Sequence, residues 1–341
     1  MKCRKKVIIP ELLHQEWKEF FQSSLLGTKY FMKNEKLSSG DQNYYISFCN
    51  FGSLIREGAI NFRASKDTTK TLIETTNFNN CTNAEGSGGS VFFSSEGECV
   101  QNRICSLNSS TVRAGMYCYA DVSENSESKN KILDSSISQS RSLNEDVLGN
   151  ILLQNGEVEI NSINISYTDI SVISLFDIGY YNLSRASYST FNNNSDTFRS
   201  GVYTYFTHSS ETLLIKSCNY IHNNLSVIIS SMEAYVSVVN CNFINNTGRR
   251  NYFCHNSPGN LTIDGSYIDD SNPSIEGEVY FTNNTTNTIK IEFTNLTCEF
   301  DIPESKNEEE NEIIYFNRKK KILKKLHYLF FQSFFAIYRF K

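Results

Sequence analysis

The sequence predicts an all-β fold: a single-stranded right-handed parallel β-helix (solenoid) of about ten coils with an N-terminal capping helix. Three observations carry that prediction. A short pattern recurs along the chain, its units alternate at period two, and each unit slips phase by one residue midway. "VSVVNCNFINN", Val236 to Asn246, matches "LLIKSCNYIHN", Leu213 to Asn223; both read apolar, any, apolar, any, any, small, any, apolar or aromatic. Period two is the signature of strands, and the slip marks a corner between two short ones. Helical repeats of similar length would need long segments at period 3.6, which "FNNNSDTF" and "TNNTTNT" do not supply.

The first element in order is the segment 1–40. "PELLHQEWKEFFQSSLL" has Pro10 suited to a first helical turn and Leu13, Trp17, Phe20 and Phe21 on one face, which predicts a helix at about residues 10 to 26 covering the open end of the stack. The basic start "MKCRKKVII" has a short apolar run and no small-residue cleavage site, so it is not expected to be a signal peptide.

The coils follow over residues 41–302. The template fits Tyr44, Ile46, Cys49 and Phe51; Thr71, Ile73, Thr76 and Phe78; Val158, Ile160, Ile163 and Ile165; and Tyr181, Leu183, Ala186 and Tyr188. It then fits Leu213, Ile215, Cys218 and Tyr220; Val236, Val238, Cys241 and Phe243; and Ile289, Ile291, Thr294 and Leu296. Asn130, Ile132, Ser135 and Ile137 fit with a polar first position, and Leu261, Ile263 and Tyr267 with one residue deleted. Final positions are 23 to 32 residues apart except for one step of 59, where "ECVQNRIC" stands in the place of a missing turn. Coils stacked in register at about 4.8 Å would set like side chains in internal columns, because no coil buries its inward row alone. The runs "HNN" at 222 to 224, "NN" at 245 and 246 and "DD" at 269 and 270 fall where the coil must turn, and Asn and Asp tolerate left-handed backbone.

The tail, 303–341, opens with the acidic run "ESKNEEENE" and continues with the basic "RKKKILKKL". Its stretch "ILKKLHYLFFQSFFAIYRF" is broken by Lys324, Lys325, His327 and Gln332 and falls short of the roughly 20 apolar residues that span a bilayer. Two readings stand for this tail: peripheral membrane contact, or a tail that packs poorly.

Composition limits function. The formal charge of −5 and the confinement of basic residues to the C-terminus argue against a nucleic-acid partner. "GSGGS" lacks the GK[ST] ending of a phosphate loop and is expected to be a loop or bulge before a strand at Val91 to Phe93. His208, His222 and His255 have no nucleophile at a recognised elbow. No cofactor motif is present. Eleven N-x-[ST] sequons permit glycosylation, but so asparagine-rich a chain reaches that density by chance.

"NFNNCTNAEGSGGSVFF", "ECVQNRICS", "GMYCYADVSENSESKNKILDSSI" and the asparagine-rich rungs resemble the large family of right-handed parallel β-helix proteins of trichomonad protists, some labelled as like polymorphic outer-membrane proteins. The likeness covers about residues 40 to 300 and is carried most specifically by Glu98, Cys99, Asn102, Arg103 and Cys105, then Tyr117, Tyr119 and Ser128 to Asn130. The resemblance implies a surface or secreted repeat protein, often membrane-tethered.

Two function classes therefore stand. The first is a non-enzymatic, adhesin-like or structural protein with a glycan or protein partner. The second is a carbohydrate-active enzyme, a polysaccharide lyase or glycoside hydrolase on a β-helix flank, which needs paired carboxylates a few ångströms apart or acids beside a basic residue. Its candidates are Asp264, Asp269 and Asp270, whose competing explanation is turn chemistry. Asp169, Asp177 and Asp196 form a weaker set, with Arg103 and Arg113 as candidate lyase bases. Among the ten cysteines, Cys49, Cys218 and Cys241 share one small inward slot and are expected as a buried thiol column. Cys99, Cys105 and Cys118 form the cluster most suited to bridging in an oxidising compartment. A metal site from Cys218, His222, Cys241, Cys254 and His255 is disfavoured, because the cysteines face inward while His222 falls in a turn.

Overall fold

The computed structural model describes residues 16–23, 29–31, 37–39, 42–64, 66–94, 96–144, 147–170, 176–179, 184–196, 203–205, 212–232, 234–256, 259–291 and 298. Two compact units divide the chain, Met1–Cys298 and Glu299–Lys341, and the second lies wholly outside the described residues. So do Tyr181, Leu183, Thr294, Leu296 and His208.

Almost every described residue belongs to a parallel β-solenoid. Its strands form three sheets of sixteen, nine and six strands, every strand pair being parallel, and each coil visits the sheets in turn. One coil shows the path: Lys70–Asn79 in the first sheet, Thr82–Asn83 in the second, Val91–Ser94 in the third, then Glu98–Leu107 back in the first beside the starting strand. Gly88 makes the turn before the third strand at φ +71°, where a Cβ would lie 2.2 Å from the Val91 carbonyl oxygen, so only glycine fits. Eleven strands line the main path of the first sheet, but the regular turns number about seven, fewer than the ten of the template count. The end coils fall short, the last strand, Val279–Thr282, being largely exposed.

The phase slip has a backbone cause. One residue per coil, just before the small slot, has left-handed φ: Phe48, Thr75, Arg103, Asp134, Ser162, Tyr188, Ser217, Asn240, Gly265 and Asn283 stack as a corner column. Such a corner takes the next backbone groups out of the ladder, and the small slot restores them. Ser135 Oγ donates to the Leu133 carbonyl at 2.6 Å and accepts from the Ile104 amide at 3.0 Å; Cys241 Sγ donates to Val239 O and accepts from the Cys218 amide. Size alone therefore does not define the slot. A hydroxyl or thiol there fills two bonds that a buried corner would otherwise leave unmade.

Inside, like stacks on like. Ile215 pairs with Val238 and Val238 with Ile263. The rings of Phe191, Tyr220 and Phe243 stack at 4.8 and 4.9 Å, each contributing about 2–3 kcal/mol by burial. The missing turn is Glu98–Leu107, with Cys99, Gln101, Ile104 and Ser106 in the four inward slots.

Three template fits are corrected. Ala186 pairs with Ile160 and Phe191 with Ile165, so that coil's slots are Ser184, Ala186, Ser189 and Phe191, three residues on from the expected register. Ile268, not Tyr267, pairs with Phe243, so no residue is deleted there. Val279 and Phe281 pair with Leu261 and Ile263, making that strand the next coil in place of Ile289 and Ile291.

The second corner also has a left-handed residue in each of eight coils, among them Asn193, His222 and Asn245. The residue after it points inward. Asn194, Asn223 and the half-buried Asn246 form a ladder in which the first two amides donate to the next Oδ1, at 3.0 and 2.9 Å, and all three to a carbonyl of the preceding coil. The expected turn asparagines thus divide into a left-handed one and an internal one.

The helix differs from expectation in extent and place. Residues 16–21 are helical, and Gln22 at φ +50° ends the helix by donating its amide to the Lys18 carbonyl, short of the expected residue 26; residues 10–15 lie outside the described residues. It does not cover an end. Trp17 and Phe21 pack on Tyr45, Leu72 and Val100, outward residues of three adjoining strands. That outer column is apolar at these three coils and continues as Lys131, Glu159 and Arg185. A helix with an apolar face is therefore held where the column is apolar.

The charged part of the face is an alternating ladder. Glu159 lies between Lys131 at 3.1 Å and Arg185 at 2.7 Å. Burial pushes its carboxyl up, but the two cations outweigh burial and hold it below the ordinary glutamate range. A folded-state pKa lowered in this way stabilises the fold above the unfolded value and loses that contribution as pH falls through the folded one. Acid titration of stability is therefore expected to show a loss below about pH 4.5 that Glu159→Gln flattens; an unchanged acid limb in the variant would refute the pairing.

Candidate functional site

Besides the charged ladder, two places among the described residues gather polar side chains. The first lies under the helix. Tyr45 Oη is within hydrogen-bond reach of Glu16 Oε2, at 2.7 Å, and of Glu74 Oε2. Arg103 Nη2 reaches Glu16 Oε1 at 3.0 Å and also pairs with Glu74 Oε1, to which Asn102 Nδ2 donates at 3.3 Å. Arg103 is presented by its left-handed corner position, while Glu74 and Asn102 are outward residues of neighbouring strands. Burial, and then Glu16, push the Tyr45 phenol well above its ordinary value.

Two carboxylates, a phenol and a guanidinium are the ingredients of acid–base chemistry, but the arrangement is closed. The Glu74 side chain is 1% exposed, and its oxygens are taken by Tyr45, Arg103 and Asn102. The cluster clamps the helix to the sheet. Arg103, a candidate base from sequence, is engaged in that clamp.

The second place is a cleft of about 490 Å³ along the first corner. Tyr188, Ser217 and Asn240, left-handed residues of successive coils, line one side; Asn287, Thr288 and Lys290 line the other. That far wall is fixed. Asn242 pairs with both backbone groups of Ile289, accepting from its amide and donating to its carbonyl, each at 2.8 Å, and the Thr285 amide donates to Ser266 O. Further along, Cys298 is disulfide-bonded to Cys105, 193 residues earlier in sequence.

Asp264 closes the strand Asn260–Asp264 at the first corner, and Asp269 and Asp270 sit in a turn. Asp264 accepts from Thr282 Oγ1 at 2.7 Å and Asn283 Nδ2 at 2.9 Å, which hold its carboxyl below the usual range. Asp269 accepts from the Asn245 amide and Asp270 from the Asn272 amide. Asp169 and Asp196 fall in adjoining strands of the second sheet and Asp177 in the third, so the three share no face. Arg113 is exposed at a turn.

The cysteines divide differently from expectation. Cys105 bridges Cys298 and not Cys99 or Cys118, which are free and buried. Burial pushes the Cys118 thiol up to about 12, and Gln101 Nε2 donates to its sulfur at 3.0 Å. Cys49, Cys218 and Cys241 occupy the small slot as expected, all buried and reduced. Of the metal set considered, the Cys218 and Cys241 thiols donate to backbone carbonyls and His222 meets Asn245 at the surface. His255 is buried in the second sheet. Among the described residues no group of three or more His, Cys, Asp and Glu is placed to hold a metal ion, and no helix is long and apolar enough to cross a membrane.

Sequence reasoning missed both gathering places. The cleft's near side was legible as the residue preceding each small slot; its far side and the partners of Arg103 have no fixed offset in the repeat. Fold and geometry together define a class, a parallel β-helix whose corner column borders a polar cleft. Compared with protein-family models, curated proteins and solved structures, the chain matches none.

Proposed function

We propose that the protein is a non-enzymatic surface or secreted scaffold, adhesin-like or structural, that presents its β-helix to a glycan or protein partner. The observation that carries this reading is the preformed polar cleft, set against the engagement of the enzyme-like groups elsewhere. Glu16 and Glu74 are both paired with Arg103, Asp264 and Asp269 accept from residues of neighbouring coils, and Asp270 accepts within its own turn. A disulfide between distant parts of the one chain supports an oxidising compartment, in keeping with the resemblance to trichomonad β-helix proteins. Peripheral membrane contact through the tail, residues 303–341, belongs to the same proposal.

The test is a panel of soluble polysaccharides in affinity electrophoresis, run beside an assay for released reducing ends and unsaturated products. Retardation without turnover is expected. Product formation abolished by Asp264→Ala would establish the competing carbohydrate-active enzyme instead.

A further inference from the structure

We infer that the corner cleft binds a neutral oligosaccharide lying along the solenoid axis, with Tyr188, Ser217 and Asn240 each engaging a successive sugar unit. The inference rests on the scaffold reading and names its site and ligand class.

Spacing is the first argument. Tyr188, Ser217 and Asn240 are corner residues of successive coils, because Ala186 pairs with Ile215 and Ile215 with Val238. Their side chains therefore recur at the strand spacing, about 4.8 Å. That step is close to the length of one pyranose unit in an extended chain.

Chemistry is the second. A phenol 43% exposed, a hydroxyl and an amide face a second amide and hydroxyl, Asn287 and Thr288, across the cleft. Amides and hydroxyls both donate and accept, which suits ligand hydroxyls that do the same. Ile289 and Ile291, with the Tyr188 ring, offer apolar surface to the C–H faces of sugar rings. Among the described residues lining the cleft there is no carboxylate, Lys290 carries the one charge, and the remaining polar groups are uncharged. Preorganisation is the third argument, since the anchored backbone of Ile289 and Thr285 fixes the far wall before any ligand arrives.

The full chain is screened on an immobilised array of neutral and acidic glycans, and the affinity for the best neutral glycan is then measured in solution. The cleft variant combines Tyr188→Asn and Asn240→Gly, residues that keep a left-handed backbone without strain. Tyr235→Ala, at an exposed tyrosine outside the cleft, is the control, and thermal melts verify folding of both. Binding to a neutral glycan, weakened about tenfold or more in the cleft variant and unchanged in the control, is expected. Absence of neutral-glycan binding, preference for acidic glycans, or undiminished binding by a folded cleft variant overturns the inference. Binding that survives in the cleft variant without turnover removes the site and leaves the scaffold reading. Turnover that the cleft variant loses removes the non-enzymatic reading and keeps the site.

Discussion

Asn223→Ala is expected to lower the unfolding free energy by about 3–4 kcal/mol, far more than a substitution of the neighbouring surface asparagine. The Asn223 amide donates to Phe191 O at 2.9 Å and to Asn246 Oδ1 at 2.9 Å, and its Oδ1 accepts from the backbone and side-chain nitrogens of Asn194 at 3.1 and 3.0 Å. Asn194, Asn223 and Phe191 are buried, and Asn246 is half-buried. Alanine leaves the Asn194 amide hydrogen and the Phe191 carbonyl without these bonds in a dry interior, at a cost of about 1–3 kcal/mol for each orphaned group. Aspartate at 223 is expected to be worse, because it retains the acceptors, loses the donors and brings a charge into the core. Asn245→Ala is the comparison: it changes a left-handed turn residue and removes an exposed contact with His222, and is expected to cost about 1 kcal/mol. Denaturant melts of the three variants check the order. Equal losses for Asn223→Ala and Asn245→Ala would mean that asparagine serves here only as a turn former.

Removing the disulfide is the second large effect. Cys105 and Cys298 are 193 residues apart, and closing so long a loop in the unfolded chain is worth up to about 5 kcal/mol in the chain-entropy account. Cys105→Ser is expected to lower the denaturation midpoint by an amount matching about 2–5 kcal/mol and to make stability insensitive to reductant. The wild-type chain in reductant should fall to the same midpoint, since the seven other described thiols are already free and buried. A midpoint that ignores reductant in the wild type would show that the bridge does not form in solution. Residues 285–291 should also become more open to proteolysis when it is cut, because Cys298 anchors the chain that continues from the wall of the cleft.

How much of this was legible is best judged at particular coils. Ile215 and Val238 stand side by side as the repeat required, and the missing turn lies in "ECVQNRIC". The slip at residues 184–191 arose because Tyr181, Leu183, Ala186 and Tyr188 satisfy an apolar template better than Ser184, Ala186, Ser189 and Phe191. A template scores one coil alone, whereas stacking selects the coil whose Phe191 ring meets Tyr220 at 4.8 Å. Val279 and Phe281 escaped for a related reason: Asn284 stands in their small slot, where it accepts the Ser266 amide at 3.1 Å as a hydroxyl would. In most coils, Ile104 and Ile163 excepted, the slot holds a hydrogen-bonding side chain, a property that a size pattern does not encode.

By itself the sequence determined the coil, because alternation, a one-residue slip and a repeated length are local properties that each segment carries whatever its neighbours do. It likewise marked the buried thiols and the left-handed asparagines. Only the tertiary structure decided that the helix lies on the outer face, that Glu16, Tyr45, Glu74 and Arg103 meet there, that Cys105 takes Cys298, and that Ile289 returns to Asn242 to wall a cleft. Those contacts join residues from outside the repeat to residues within it. Their partners are set by which stretch of the outer surface is apolar, charged or amide-lined once all the coils have stacked, and no single coil contains that information.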